Sequence, residues 1–140
     1  MNEAKKTAGR PKPSLSILVA DDSQDTVTML SVILRDEGHT DHEVTHGGFV
    51  LEAVRRFRPQ ICILDIQMPG KNGYDIARAI QTEFKKAAPL LIAISGRWTT
   101  KADKYVAQAV GFQHFLTKPA DPNDLLEILD GFSPPERAAA

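Results

Sequence analysis

The chain has 140 residues, 42% apolar and 25% charged, with a formal net charge of −1. These figures fit one globular domain of ordinary size, and the charge balance gives no support for direct nucleic-acid binding. No apolar run approaches the roughly 18–20 residues that cross a bilayer, and no signal-peptide segment follows Lys5, Lys6, Arg10 and Lys12, so a cytoplasmic location without membrane contact is expected. The one cysteine, Cys62, excludes an intrachain disulfide and fits a reducing compartment. It lies in an apolar run and reads as a core residue.

In chain order, residues 1–13 are polar, basic and proline-containing and read as a disordered tail, as do residues 133–140. One folded domain is expected over 14–132. Ser16 to Ala20 reads as a first strand. Residues 24–37 place Val27, Leu30, Ile33 and Leu34 at helical spacing, with Gly38 as a stop. Asp41 to Thr45 is a weaker second strand, and 48–57 a second helix. Ile61 to Leu64 is a third strand, followed by a helix over 74–84. Leu90 to Ile94 is a fourth strand. Thr100 and Asp103 form a capping pair for a helix that ends at Gly111. His114 to Thr117 is a short fifth strand. Asp121 as N-cap, Pro122 and Asp124 open a last helix that runs to about Gly131. Its Leu125, Leu126, Ile128 and Leu129 read as a core face. Strands 1, 3 and 4 are near-continuous apolar runs, as in strands covered on both faces. Right-handed crossovers then give an α/β doubly wound parallel sheet, for which 2-1-3-4-5 is a common order.

The informative fact is where the polar residues fall. Asp21 and Asp22 end strand 1, Asp65 strand 3, Ser95 strand 4 and Lys118 strand 5. Ligands of open parallel sheets bind at the carboxyl ends of the strands. Three carboxylates would converge there, with a hydroxyl and an ammonium beside them. Clustered carboxylates repel one another and burial favours their neutral forms. A small hard cation resolves the conflict, and Mg²⁺ with its oxygen ligands fits. Zinc does not, because His39, His42, His46, His114 and Cys62 show no ligand spacing.

Four pieces together resemble the receiver domain of two-component response regulators. They are Asp21-Asp22, the segment from Leu64 through Asp65-Ile66-Gln67-Met68-Pro69 to Gly73, Ser95-Gly96, and Thr117-Lys118-Pro119. The resemblance covers about residues 15–132 and implies a flavodoxin-like (βα)5 fold of the stand-alone chemotaxis type. It implies that Asp65 is the phosphoacceptor, supplied by a histidine kinase or a histidine phosphotransfer protein. It further implies Mg²⁺ held by Asp22 and Asp65, by Asp21 directly or through water, and by the backbone carbonyl of Gln67. Lys118 would pair with a phosphoryl oxygen and Ser95 would hydrogen-bond it. Ser95 and Phe115 would form a switch, and Gln67 and Arg97 would line the water's approach and set the phosphoprotein's lifetime. A downstream protein would bind the surface of helix 4, strand 5 and helix 5, near Lys104, Tyr105 and Gln108. Lys118-Pro119 resembles the family's cis peptide.

Two positions depart from the commonest family pattern. Ser95 stands where Thr is more frequent, and Phe115 where Tyr is common, so a phenol hydroxyl cannot be a contact of the switch. Trp98 reads as a packing or surface residue near the site. The chain is expected not to be an enzyme beyond assisting its own phosphorylation and dephosphorylation. Aspartyl phosphatases resembling haloacid dehalogenases carry a second Asp two residues after the nucleophile, where this chain has Gln67. A phosphorylation-independent binding module and a receiver from a hybrid histidine kinase are the other readings. The absence of a recognisable output segment makes direct transcriptional control unexpected, and Met1 with both tails favours a complete small protein.

Overall fold

The computed structural model describes residues 13–96 and 100–134. Five strands alternate with five helices: β1 (Ser16–Ala20), α1 (Gln24–Asp36), β2 (Thr40–Val44), α2 (Val50–Phe57), β3 (Ile61–Asp65), α3 (Gly73–Phe84), β4 (Leu90–Ser95), α4 (Lys101–Ala109), β5 (Phe112–Thr117) and α5 (Pro122–Asp130). The strands form one parallel sheet in the order β2-β1-β3-β4-β5. This is the expected flavodoxin-like architecture.

Strand side chains alternate between faces, so the apolar runs divide by parity. Leu18, Ala20, Cys62, Leu64, Leu91 and Ala93 face one way, against Val50 and Val54 of α2, Ile76 and Ile80 of α3, and Ala107 of α4. Ile17, Val19, Ile61, Ile63, Ile92 and Ile94 face the other way, against Val27, Leu30 and Leu34 of α1 and Leu125 and Leu129 of α5. Each fully buried Ile or Leu contributes roughly 1.5–3 kcal/mol. Burial pushes the Cys62 thiol up to about 12, in keeping with a core residue and against a redox role.

The helices start where short polar side chains take up free N–H groups. Ser23 Oγ accepts from Thr26 N–H at 3.3 Å, Asn72 Oδ1 from Asp75 N–H at 2.9 Å, and Asp121 Oδ1 from Asn123 N–H at 2.9 Å. Thr100 and Asp103 make the expected reciprocal box. Gly38 and Gly111 take the positive φ values that follow α1 and α4.

Element boundaries differ from expectation by a residue or two, most instructively at β2, the second helix and β5. β2 spans Thr40–Val44, one residue earlier. The second helix, expected over 48–57, opens with a 3₁₀ turn, Gly47–Phe49, that leads into α2 at Val50. His46 caps this turn, its Nδ1 accepting from Gly48 N–H at 3.0 Å. β5 begins at Phe112, because the ladder slips by one residue between Leu91 and Ile92. Leu91 pairs with Phe112 but Ile92 pairs with His114. The unpaired Gln113 reverses the parity, which puts Phe112 and Phe115 on the same face of the sheet.

Candidate functional site

β1 and β3 are adjacent, so their carboxyl ends bring Asp21, Asp22 and Asp65 together. One carboxylate oxygen from each lies within 4.8 Å of the others. Asp21 and Asp65 are buried, at 0% and 1% exposure, while Asp22 is exposed. The backbone holds two of them in place. Ser23 N–H donates to Asp21 Oδ1 at 2.9 Å, and Gln67 N–H donates to Asp65 Oδ1 at 3.0 Å.

Lys118 reaches in from the end of β5. Its Nζ lies 2.9 Å from Asp21 Oδ2 and 3.1 Å from Asp65 Oδ2. Burial works to lower the Lys118 pKa, but hydrogen bonding to Asp21 and Asp65 overcomes it and the net shift is upward. Asp65 moves up from 3.8 to about 6. Burial dominates and the Asp21 charge adds to it, against the Gln67 N–H and Lys118. The peptide bond Lys118-Pro119 is cis, as the family resemblance implied, and Lys118 N–H donates to Ser95 O at 2.9 Å.

The donor set fits a small hard cation. Among the described residues, the cluster opposes three carboxylates with the Lys118 ammonium. Asp21 Oδ2 is buried and is met by that single ammonium at 2.9 Å, which Asp65 Oδ2 shares at 3.1 Å. One ammonium offsets only one of the three carboxylate charges, and a cation with oxygen preference would offset the others.

Ser95 is buried at the end of β4. It lines a cavity of about 640 Å³ with Gln67, Met68, Asn72, Tyr74 and Asp103. Met68 therefore packs into the core and also walls this space. Burial raises the Tyr74 pKa, and the Asp103 charge adds to it. Among the described residues, nothing lies within 4 Å of where a Cβ on Gly96 would sit. Phe115 is half-buried on the same sheet face as α4, with Lys104 Nζ 5.9 Å from its ring centroid. Tyr105 beside it is 71% exposed. Arg97 and Trp98 lie outside the described residues.

The wall residue Tyr74 and the loop contact around His46 were not singled out by sequence. A Cβ on Gly70, at φ +95, would collide with the His46 ring, and one on Gly47 would meet Lys71 O at 2.8 Å. The loops after β2 and β3 are thus packed together, with Gly47 N–H donating to Pro69 O at 3.4 Å. The glycine pair Gly47-Gly48 was the available signal for this contact. For Tyr74 it was the position just inside α3, after the Asn72-Gly73 that closes the receiver-like segment.

The response regulator receiver domain family matches residues 17–130. The chain belongs to the receiver domain family of two-component response regulators. It is 31% identical over 110 residues to the DNA-binding response regulator MtrA of Mycolicibacterium smegmatis, covering 79% of this chain and 46% of MtrA. The chain thus spans about half the length of that relative. Protein PilH of Pseudomonas aeruginosa is 29% identical over 114 residues, which cover 81% of this chain and 93% of PilH. The chemotaxis response regulator CheY4 of Vibrio cholerae superimposes with a TM-score of 0.77 at 25% identity, over 84% of this chain and 98% of CheY4. Receiver domains are signalling modules, typically without enzymatic turnover, that bind Mg²⁺ at an acidic pocket. The Asp21, Asp22 and Asp65 cluster occupies the corresponding end of this sheet. No described helix is long and apolar enough to cross a membrane.

Proposed function

We propose that this receiver accepts a phosphoryl group on Asp65 and changes its α4–β5–α5 surface in response. One observation carries the reading: Asp65 is buried at the end of β3, with two further carboxylates and the Lys118 ammonium gathered around it. A structural core has no use for such a cluster, since buried charges are retained at a cost.

The donor is a phosphohistidine on a kinase or phosphotransfer protein. An Asp65 oxygen attacks phosphorus, the new O–P bond forms as the P–N bond breaks, and the electron pair leaves on the imidazole nitrogen, which takes up a proton. The reaction needs positioning and charge neutralisation more than covalent help. Gln67 N–H fixes the orientation of the Asp65 carboxylate, Lys118 receives a phosphoryl oxygen, and the Ser95 hydroxyl donates to another. Asp21, Asp22, Asp65 and the Gln67 carbonyl would hold Mg²⁺. When bound, the ion offsets the charge of the carboxylates and the incoming phosphoryl group. Substitution of Gln67 would alter the rate of dephosphorylation more than the stability of the fold.

The response runs through Ser95 and Phe115. A phosphoryl group draws Ser95 toward it and leaves space beside β5. Phe115, half-buried under Lys104, then turns inward and gains by leaving water. The face around Lys104, Tyr105 and Gln108 is reshaped, and a downstream protein reads it. The donor class has support in a solved relative of the same fold, the Ssk1 receiver domain of Saccharomyces cerevisiae, in complex with the phosphotransfer protein Ypd1.

Beryllofluoride, an acyl-phosphate mimic, tests the proposal by amide NMR. In Mg²⁺, resonances around Asp65 and in residues 101–117 should shift together, and Asp65→Asn should respond at neither place. Shifts confined to the surroundings of Asp65 would reject the coupled switch and leave a phosphate carrier.

A further inference from the structure

The end of the sheet opposite Asp65 carries a second concave feature. A cavity of about 520 Å³ opens where β3, β4 and β5 begin, lined by Gln60, Leu90 and Gln113 together with Arg58, Lys85 and Lys86 from the ends of α2 and α3. None of its lining residues is acidic, on a chain whose net charge is −1.

Cations after a helix can simply complement its carbonyl end, and Arg58 does so in part, its Nε donating to Arg55 O at 3.2 Å. Two observations go further. Arg58 at φ 48 and Lys85 at φ 49 are the non-glycine residues with positive φ among the described residues. Arg58 is in the left-handed helical region, whereas Lys85, with ψ −119, is in a region suited to glycine. Elsewhere the chain places glycine where a helix ends at positive φ, as at Gly38 and Gly111. At this cavity it keeps cations instead, and strained backbone of this kind collects at ligand sites. The second observation is charge. Glu83 acts on Arg58 from a distance but is held by Arg55 through hydrogen bonds of 2.7 and 2.8 Å. Lys85 and Lys86 have no carboxylate partner among the described residues.

We propose that this cavity binds a phosphorylated small molecule, with its phosphoryl oxygens received by Arg58, Lys85 and Lys86. A guanidinium and two ammoniums on one rim suit an anion with several acceptor oxygens. Gln60 Oε1 accepts from Ser16 N–H at 2.9 Å, which leaves its NH₂ group to donate. The site is independent of the acceptor at Asp65, since the two lie at opposite ends of the strands. An inorganic polyphosphate and a nucleotide share this chemistry.

The test is an amide NMR titration of the full chain in EDTA, so that the acidic cluster cannot recruit phosphates through a metal. Pyrophosphate and ADP should shift the amides of Arg58, Gln60, residues 85–88 and Leu90 saturably, and adenosine should not. Tighter binding of ADP than of pyrophosphate identifies a nucleotide, and equal binding an inorganic anion. Lys85→Gly should keep or raise the melting temperature while weakening binding by about tenfold. Lys86→Gln should weaken it with no change in fold, and serves if the first variant does not fold. The proposal is overturned if neither anion gives saturable shifts, if chloride at matched ionic strength gives the same ones, or if the folded variants bind as the wild type does.

Discussion

At Asp65 the balance of forces can be measured directly. Its pKa is raised from 3.8 to about 6, chiefly by burial. A raised carboxyl pKa favours the native state where the group is protonated, and that advantage is lost as pH rises from about 3.8 through 6. Without metal, Asp65→Asn should therefore stabilise the protein near pH 7, by at most about 3 kcal/mol. The gain should shrink below pH 6 and vanish near pH 4. Thermal unfolding in EDTA across this range checks it, and a gain independent of pH would contradict it. Asp22 is exposed, so Asp22→Ala should leave folding almost unchanged while weakening Mg²⁺ binding by more than about tenfold, as read by calorimetry. The residues of this cluster were legible in the sequence because acidic and basic side chains interrupt apolar strands at their carboxyl ends. His46 and Tyr74 were not, because their places depend on how two loops and a helix start pack, which no periodicity encodes.

Among the elements, α3 is the one most closely fitted to the site. Its first residue, Gly73, donates its N–H to Ile66 O at 2.7 Å, and a Cβ there would meet Ile66 Cα at 2.7 Å and Asp65 O at 2.8 Å. Gly73→Ala must displace backbone next to Asp65 and should cost about 1–3 kcal/mol. Gly96→Ala meets none of the described residues and should cost far less. Chemical denaturation of the two variants compares them, and equal stabilities would refute the packing described for the β3–α3 loop. β1, β3 and β4 were readable because burial on both faces leaves an apolar run with few exceptions. β5 was read two residues short because the slip at Gln113 breaks the alternation that marks a strand. That slip also places Phe115 against the α4 side, so the feature that hid the strand start is the one that puts the aromatic ring at the proposed switch.

For the whole molecule, the parity of the strands separates two tasks. One apolar layer joins the sheet to α1 and α5, and the other joins it to α2, α3 and α4. Ser95 ends β4 and Phe115 lies on the neighbouring strand, so a change at Asp65 has a short route to the exposed face of α4. Tyr105→Ala, on that face, should leave phosphorylation of Asp65 unchanged and weaken capture of the downstream partner. Loss of phosphorylation in this variant would show that the surface serves the donor instead. Each of these outcomes depends on the proposed role of Asp65 as phosphoacceptor. Incubation with acetyl phosphate and Mg²⁺, followed by mass-spectrometric location of the modification, tests it most directly. One phosphoryl group should appear on Asp65 and be absent in EDTA and in Asp65→Asn. Undiminished labelling of that variant at another residue would contradict the account.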